Sequence, residues 1–174
     1  EGQHPEAFED TFLSLTLENK VGVRFVQGKF GMGSYGAVNF CTVDGLQLIL
    51  SKRNPLLAGH GDKNLWGFTV VRKIAPDGDY RSSRWVYLTI NNKIPSFDRK
   101  ALDLFPGPYP NPYGNKFEHG SFIKLYNYDI GPSLRTNILL DLYNKINTLL
   151  VNPVVPVRFH ERRKFNANSY ESTL

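Results

Sequence analysis

Three apolar segments follow one another along this chain with no helical pattern between them, and that succession limits the fold more than any other feature. They are Leu46-Gln47-Leu48-Ile49-Leu50-Ser51, Trp66-Gly67-Phe68-Thr69-Val70-Val71-Arg72-Lys73 and Trp85-Val86-Tyr87-Leu88-Thr89-Ile90. Each has the length of a strand, and each is bounded by turn formers. Asp44-Gly45 precedes the first, Asn54-Pro55 and the glycines up to Gly61 follow it, and Asp77-Gly78 separates the second from the third. A parallel doubly wound sheet needs a helix between most strands, so these spacings predict an antiparallel meander. Gly120-Ser121-Phe122-Ile123-Lys124-Leu125-Tyr126 alternates as a fourth strand.

Helical patterns lie towards the ends. Pro5 suits a first helical turn, with Glu6, Glu9 and Asp10 beside it and Phe8, Phe12, Leu13 and Leu15 at roughly helical spacing. The clearest helix runs from Leu134 to Leu150, with Ile138, Leu139, Leu142, Ile146, Leu149 and Leu150 along one side and Ser133 as its N-cap. Residues 105–115 hold Pro106, Pro108, Pro110 and Pro112 and read as a loop. The expected fold class is α+β, a mostly antiparallel sheet with helices on one face.

A length of 174 residues suits one domain, with room for the start of a second, and 41% hydrophobic residues suffice for a core. No apolar run approaches the roughly 18 residues of a membrane helix, and the single cysteine, Cys41, gives no internal disulfide. A cytoplasmic protein with no membrane partner is the expectation, and Cys41 reads as a small core residue. The four histidines, His4, His60, His119 and His160, lie far apart without carboxylates at ligand spacing, so no zinc or iron site is expected. The net charge of +5 comes largely from Lys52-Arg53 and from Arg158, Arg162, Arg163 and Lys164. Such runs are more often a solvated face than a groove. A basic nucleic-acid-binding or protein-interaction module therefore stands as the alternative function.

The chemistry concentrates in Gly28-Lys29-Phe30-Gly31-Met32-Gly33-Ser34-Tyr35-Gly36-Ala37. Dense glycine lets backbone N–H groups approach an anion, and a helix opening there turns its positive end to phosphate. Ala37 to Cys41 is expected to continue as that helix. A tight structural turn is the plainer reading of the same residues. A Walker A loop fails for want of Gly-Lys-Ser/Thr. Gly31-x-Gly33-x-x-Gly36-x-Val38 matches the kinase glycine loop, with Lys52 in the place of the strand lysine. The chain, however, has no His-Arg-Asp or Asp-Phe-Gly. As a dinucleotide fingerprint the segment lacks the βαβ unit, and Asp44 lies too near to be its ribose-binding acid.

The longer string Gly28-x-Phe30-Gly31-x-Gly33-x-x-Gly36-Ala37 resembles the second glycine box of the GHKL ATPases (gyrase, heat-shock chaperone, histidine kinase, MutL). Glu1-Gly2 looks like the tail of that class's first glycine box. His119-Gly120-Ser121 is similar to its Gly-Thr box, with Ser121 keeping the hydroxyl. Over residues 1 to about 164 the chain resembles prokaryotic GHKL-type ATP-binding proteins. The resemblance implies that ATP is bound with Mg2+ and that hydrolysis accompanies lid closure and homodimerisation. It implies a nucleotide site formed by Gly2, Gly28, Lys29, Phe30, Gly31, Met32, Gly33, Ser34, Tyr35, Gly36, Ala37 and Ser121. It assigns no catalytic residue and no metal ligand here, because the family carries its general base, magnesium ligand and adenine-reading aspartate upstream of this stretch. Together with Glu1 in place of an initiating Met, this makes a fragment the expectation, inactive by itself. The domain reading is 1–152 as the ATP-binding part, with the lid and glycine box at 16–41, and 153–174 as a linker or the start of a second domain.

Overall fold

The computed structural model describes residues 1–14, 33–41, 45–104, 116–129, 138–149, 157–160 and 171–173. The chain divides into two compact units, Glu1–Asp129 and Ile130–Leu174. The class is α+β, built on a five-stranded antiparallel sheet.

The strands of the first unit are β1 (Gln47–Lys52), β2 (Trp66–Ile74), β3 (Arg84–Tyr87), β4 (Ser96–Phe97), β5 (Leu102–Asp103), β6 (Lys116–Phe117) and β7 (Gly120–Leu125). The main sheet has the order β3-β2-β1-β7, with β4 also pairing with β2. Its first three strands form the meander expected from their spacing. β7 does not extend it beyond β3. It returns instead to the free side of β1, setting Ile123 opposite Ile49 while Thr69 faces Ile49 from β2. β5 and β6 form a separate small ladder.

Side chains alternate across a sheet, and the register assigns them to faces. Gln47, Ile49 and Ser51 share one face with Thr69, Val71, Trp85 and Ser121. Over β1 and β2 this face is closed. Phe8 lies in a cluster with Ile49, Val71 and Ile94, against which Phe12, Leu13 and Trp85 pack. The N-terminal segment is the cover, and Pro5 lies on Gly67 so closely that a Cβ there would sit 2.8 Å from the proline ring. The other face carries Leu48, Leu50, Phe68, Val70, Val86, Phe97 and Phe122, all only part-buried.

Three elements differ from the sequence reading. The N-terminal helix is a single 3-10 turn, Pro5–Ala7. Beyond it the chain curls, with Thr11 N and Leu13 N both donating to Phe8 O, so that Phe8 and Phe12 meet edge to face at 5.2 Å. The third strand stops at Tyr87 rather than Ile90. The Thr69 hydroxyl takes the Leu88 carbonyl at 2.9 Å, and Asn91 and Asn92, at φ 51° and 57°, reverse the chain between Ile90 and Lys93. The glycine-segment helix α1, Gly33–Val38, begins and ends earlier than expected. Its end tightens through Phe40 N to Ala37 O and Cys41 N to Val38 O, and Cys41 then leaves it to bridge Tyr128.

The second unit contains α2, Ile138–Leu149, within the predicted Leu134–Leu150 helix, and Leu139 is its buried residue. A two-stranded ladder pairs β8 (Arg158–His160) with β9 (Glu171–Thr173), and α2 lies against β8. Ser133, the expected N-cap, and residues 105–115 lie outside the described residues, as do Leu15 to Met32 and Asp44. None of the described helices is long and apolar enough to cross a membrane.

Candidate functional site

The adjoining ends of β1 and β7 are built around one buried hydroxyl. Ser51 is fully buried, and its Oγ lies 2.8 Å from Gln3 N, 2.8 Å from Ser121 Oγ and 3.1 Å from Gly120 O. One hydroxyl has one proton and two lone pairs. All three contacts are satisfied when Ser51 donates to the Gly120 carbonyl and accepts from the Gln3 N–H and the Ser121 O–H. Ser121 is exposed. With its proton turned inward, it presents acceptor lone pairs to solvent.

Gly2 is held in the same place. Its φ is +71°, and a Cβ there would run into the carbonyl of Lys52 and stand 3.0 Å from Gly120 N. Only glycine allows that approach. Asn54 N donates to Glu1 O at 2.7 Å, so residues 1–3 are stitched to the end of β1 on both sides of Gly2. Two residues singled out in the sequence, Gly2 and Ser121, thus meet across 118 intervening positions. Ser51 and Gln3, which join them, were not singled out. The available signal was polarity at inward strand positions: Gln47 and Ser51 alternate with Ile49, and a polar side chain on a buried face needs partners.

The glycine segment is described only in part. Gly28, Lys29, Phe30, Gly31 and Met32 lie outside the described residues, as do the side chains of Ser34 and Tyr35. Gly33 to Ala37 belong to α1. At Gly36 a Cβ would meet nothing within 4 Å, so neither strain nor packing demands glycine there. Val38 and Cys41 are buried. Asp129 N donates to Phe40 O at 2.7 Å, and the Phe40 and Tyr128 rings lie 5.9 Å apart. The helix is therefore tied to the chain beyond Leu125, at the opposite end of β7 from Ser121.

Cys41 carries little prospect of nucleophilic chemistry, since burial pushes its thiol above the ordinary range. Lys52, on the other face from Ser51, is buried and donates from Nζ to Arg99 O at 2.8 Å. Trp66 Nε1 donates to the same carbonyl at 3.1 Å. A separate cavity of about 350 Å³ is lined by His4, Pro5, Glu6, Glu9, Lys93 and Ile94 among others. At its edge Tyr87 Oη donates to Glu9 Oε1 at 2.6 Å. That bond holds the phenol proton and raises its pKa, with burial and the carboxylate charge adding to the effect. Among the described residues no cluster of His, Cys, Asp or Glu forms that would hold a metal ion. Comparison with protein-family models, with curated proteins and with solved structures gave no match.

Proposed function

We propose that this chain carries the adenine-nucleotide-binding part of a GHKL-type ATPase, with the base at Gly2 and Ser121 and the phosphates at Gly28–Ala37. The observation that carries this reading is the meeting of Gly2 and Ser121 at the adjoining ends of β1 and β7, Gly2 against Lys52 O and Gly120 N and Ser121 on Ser51. These two positions came from separate boxes of the family pattern, and they stand at one corner of the sheet, Ser121 in the Ser51 hydroxyl network and Gly2 next to Gln3, which donates to it. The acceptor that Ser121 offers suits the exocyclic amine of adenine, a donor, and not the carbonyl oxygen that guanine bears at the equivalent position. Open space at Gly36 agrees with a backbone that a ligand approaches. In the family reading, hydrolysis is coupled to closure over the nucleotide and to pairing of two ATPase heads. No step is assigned to Mg2+, and no general base is assigned in this chain.

Thermal unfolding with Mg-ATP and with Mg-GTP tests the proposal. ATP is expected to stabilise the chain more than GTP does. At ten times Kd the stabilisation is about 1.4 kcal/mol. Ser121→Ala should erase the preference for adenine. Gly36→Ala separates the two roles of the glycine segment. As a helix residue it gains up to about 1 kcal/mol of stability on acquiring a methyl group, while a phosphate contact is obstructed by the same methyl. A higher melting temperature without the ATP shift is the expected pair of results. An ATP shift unchanged by Gly36→Ala, or no shift with either nucleotide, would refute the reading.

A further inference from the structure

The sheet face opposite Ser51 has a composition that the nucleotide site does not use. Its described positions on β1, β2, β3, β4 and β7 are Leu48, Leu50 and Lys52; Trp66, Phe68, Val70, Arg72 and Ile74; Arg84 and Val86; Phe97; and Gly120, Phe122 and Lys124. Four are cations, four are aromatic and none is acidic. The face is closed at the Trp66–Lys52 end, where both residues are buried, and open towards Arg72 and Lys124, which are exposed. Phe68 and Phe97 lie 6.2 Å apart between ring centroids. In register with Phe68, across Leu50, stands Phe122, two strand spacings or roughly 9.5 Å away. Lys124 lies one row further on, beside Leu48 and Val70, and Arg72 beyond that beside Val86.

We propose that this face binds single-stranded nucleic acid, with bases on Phe68 and Phe97 and phosphates towards Arg72 and Lys124. Part-exposed rings on a sheet give sequence-tolerant platforms for unpaired bases, and neighbouring cations neutralise the backbone that links them. Complementary charge favours this occupant. An acidic strand of planar bases matches both halves of the face, whereas an apolar protein surface leaves Arg72 and Lys124 unmatched. Duplex DNA keeps its bases stacked and out of reach of the rings. The proposal is independent of the Ser51–Ser121 corner, which lies on the other face.

Fluorescence anisotropy of the full chain with labelled dT12 and U12, in rising salt and with saturating Mg-ATP, tests this. Both oligonucleotides should bind and ATP should not compete. The double variant Arg72→Glu, Lys124→Glu should weaken binding at least tenfold and flatten the salt dependence by about 0.7 for each phosphate no longer neutralised. Both side chains are exposed, so its melting temperature checks that the fold is kept. Phe68→Leu retains an apolar side chain and should still cost roughly fivefold or more through weaker stacking, an effect that a purely electrostatic contact does not produce. Arg162→Ala with Arg163→Ala should change little. Absence of binding, weakening that follows Arg162 and Arg163, competition by ATP, or an unaffected double variant would overturn the proposal. So would preferred capture by phosphatidylserine vesicles or by duplex DNA of equal length.

Discussion

The two faces of the central sheet are made from the same strands and solve opposite problems. On one, β1 presents Gln47, Ile49 and Ser51, all at most 3% exposed, beneath a cover that Phe8 and Pro5 supply from the N-terminal segment. On the other, Leu48 and Leu50 alternate with them and stay part-exposed. The closed face admits polar groups where each has a partner, as Ser51 and Thr69 do. The described strand positions of the open face include no acid, although Asp77 pairs with Arg84 at its edge. A buried hydroxyl costs stability unless bonded, whereas an open apolar surface with cations is available to a ligand. Burial governs what the closed face can contain, and surface chemistry governs the open one.

Neighbouring residues of one strand test that contrast most directly. Ile49→Ala should cost about 2–5 kcal/mol in urea unfolding, as a core truncation does. Leu50→Ala, one position along and on the other face, should cost at most about half as much, since its side chain already meets water. Equal losses would mean that the second face is closed in solution. Next in size is the hydroxyl pair. Ser51→Ala strands the Gln3 N–H and should cost about 1–3 kcal/mol, whereas exposed Ser121→Ala should stay within about 0.5 kcal/mol. A large loss at Ser121 would make it a structural residue rather than one that faces a ligand.

The smallest effects are in pH. The bond to Glu9 raises the Tyr87 pKa above its ordinary 10.0, so the stability it adds is complete below pH 10 and is lost as pH rises through the raised value. Tyr87→Phe should remove that alkaline step from a melting-temperature profile and loosen the N-terminal cover. Asp77 has the opposite sign. Its carboxylate accepts backbone N–H bonds from Tyr80 and Asp79 and is paired with Arg84, which lowers its pKa below 3.8. What it contributes is present above that pH and is lost as pH falls through the lowered value. Asp77→Asn should flatten only this acid limb.

Much of the sheet was legible in the sequence because β1, β2 and β7 obey a period of two and end at glycine, proline or asparagine. The α+β class followed from strands without intervening helices. What periodicity did not carry was pairing order. The return of β7 to β1 is a long-range choice, settled by matching Ile123 to Ile49 and Ser121 to Ser51. Nor did it carry the collapse of the first helix to one turn, since Phe8 and Phe12 gain more by entering the sheet core than by following a helical stripe. Gly2 and Ser121 were reached through the order of boxes in a resemblance. Ser51 and Gln3 were missed because the polarity of Ser51 at an inward strand position signals that it needs partners without saying which residues supply them.

The Ser51–Ser121 contact joins residues 70 positions apart, and this has a consequence for the order in which the protein comes into being. During synthesis β1 and β2 can pair as soon as both have emerged, but of the three partners of Ser51 only Gln3 is present until Gly120 and Ser121 follow. Closing so long a loop is entropically costly and slow relative to hairpin formation. A nascent chain can therefore hold most of the sheet while lacking the hydroxyl pair entirely, so the proposed base-recognition corner is a late-maturing feature whose appearance marks completion of this unit.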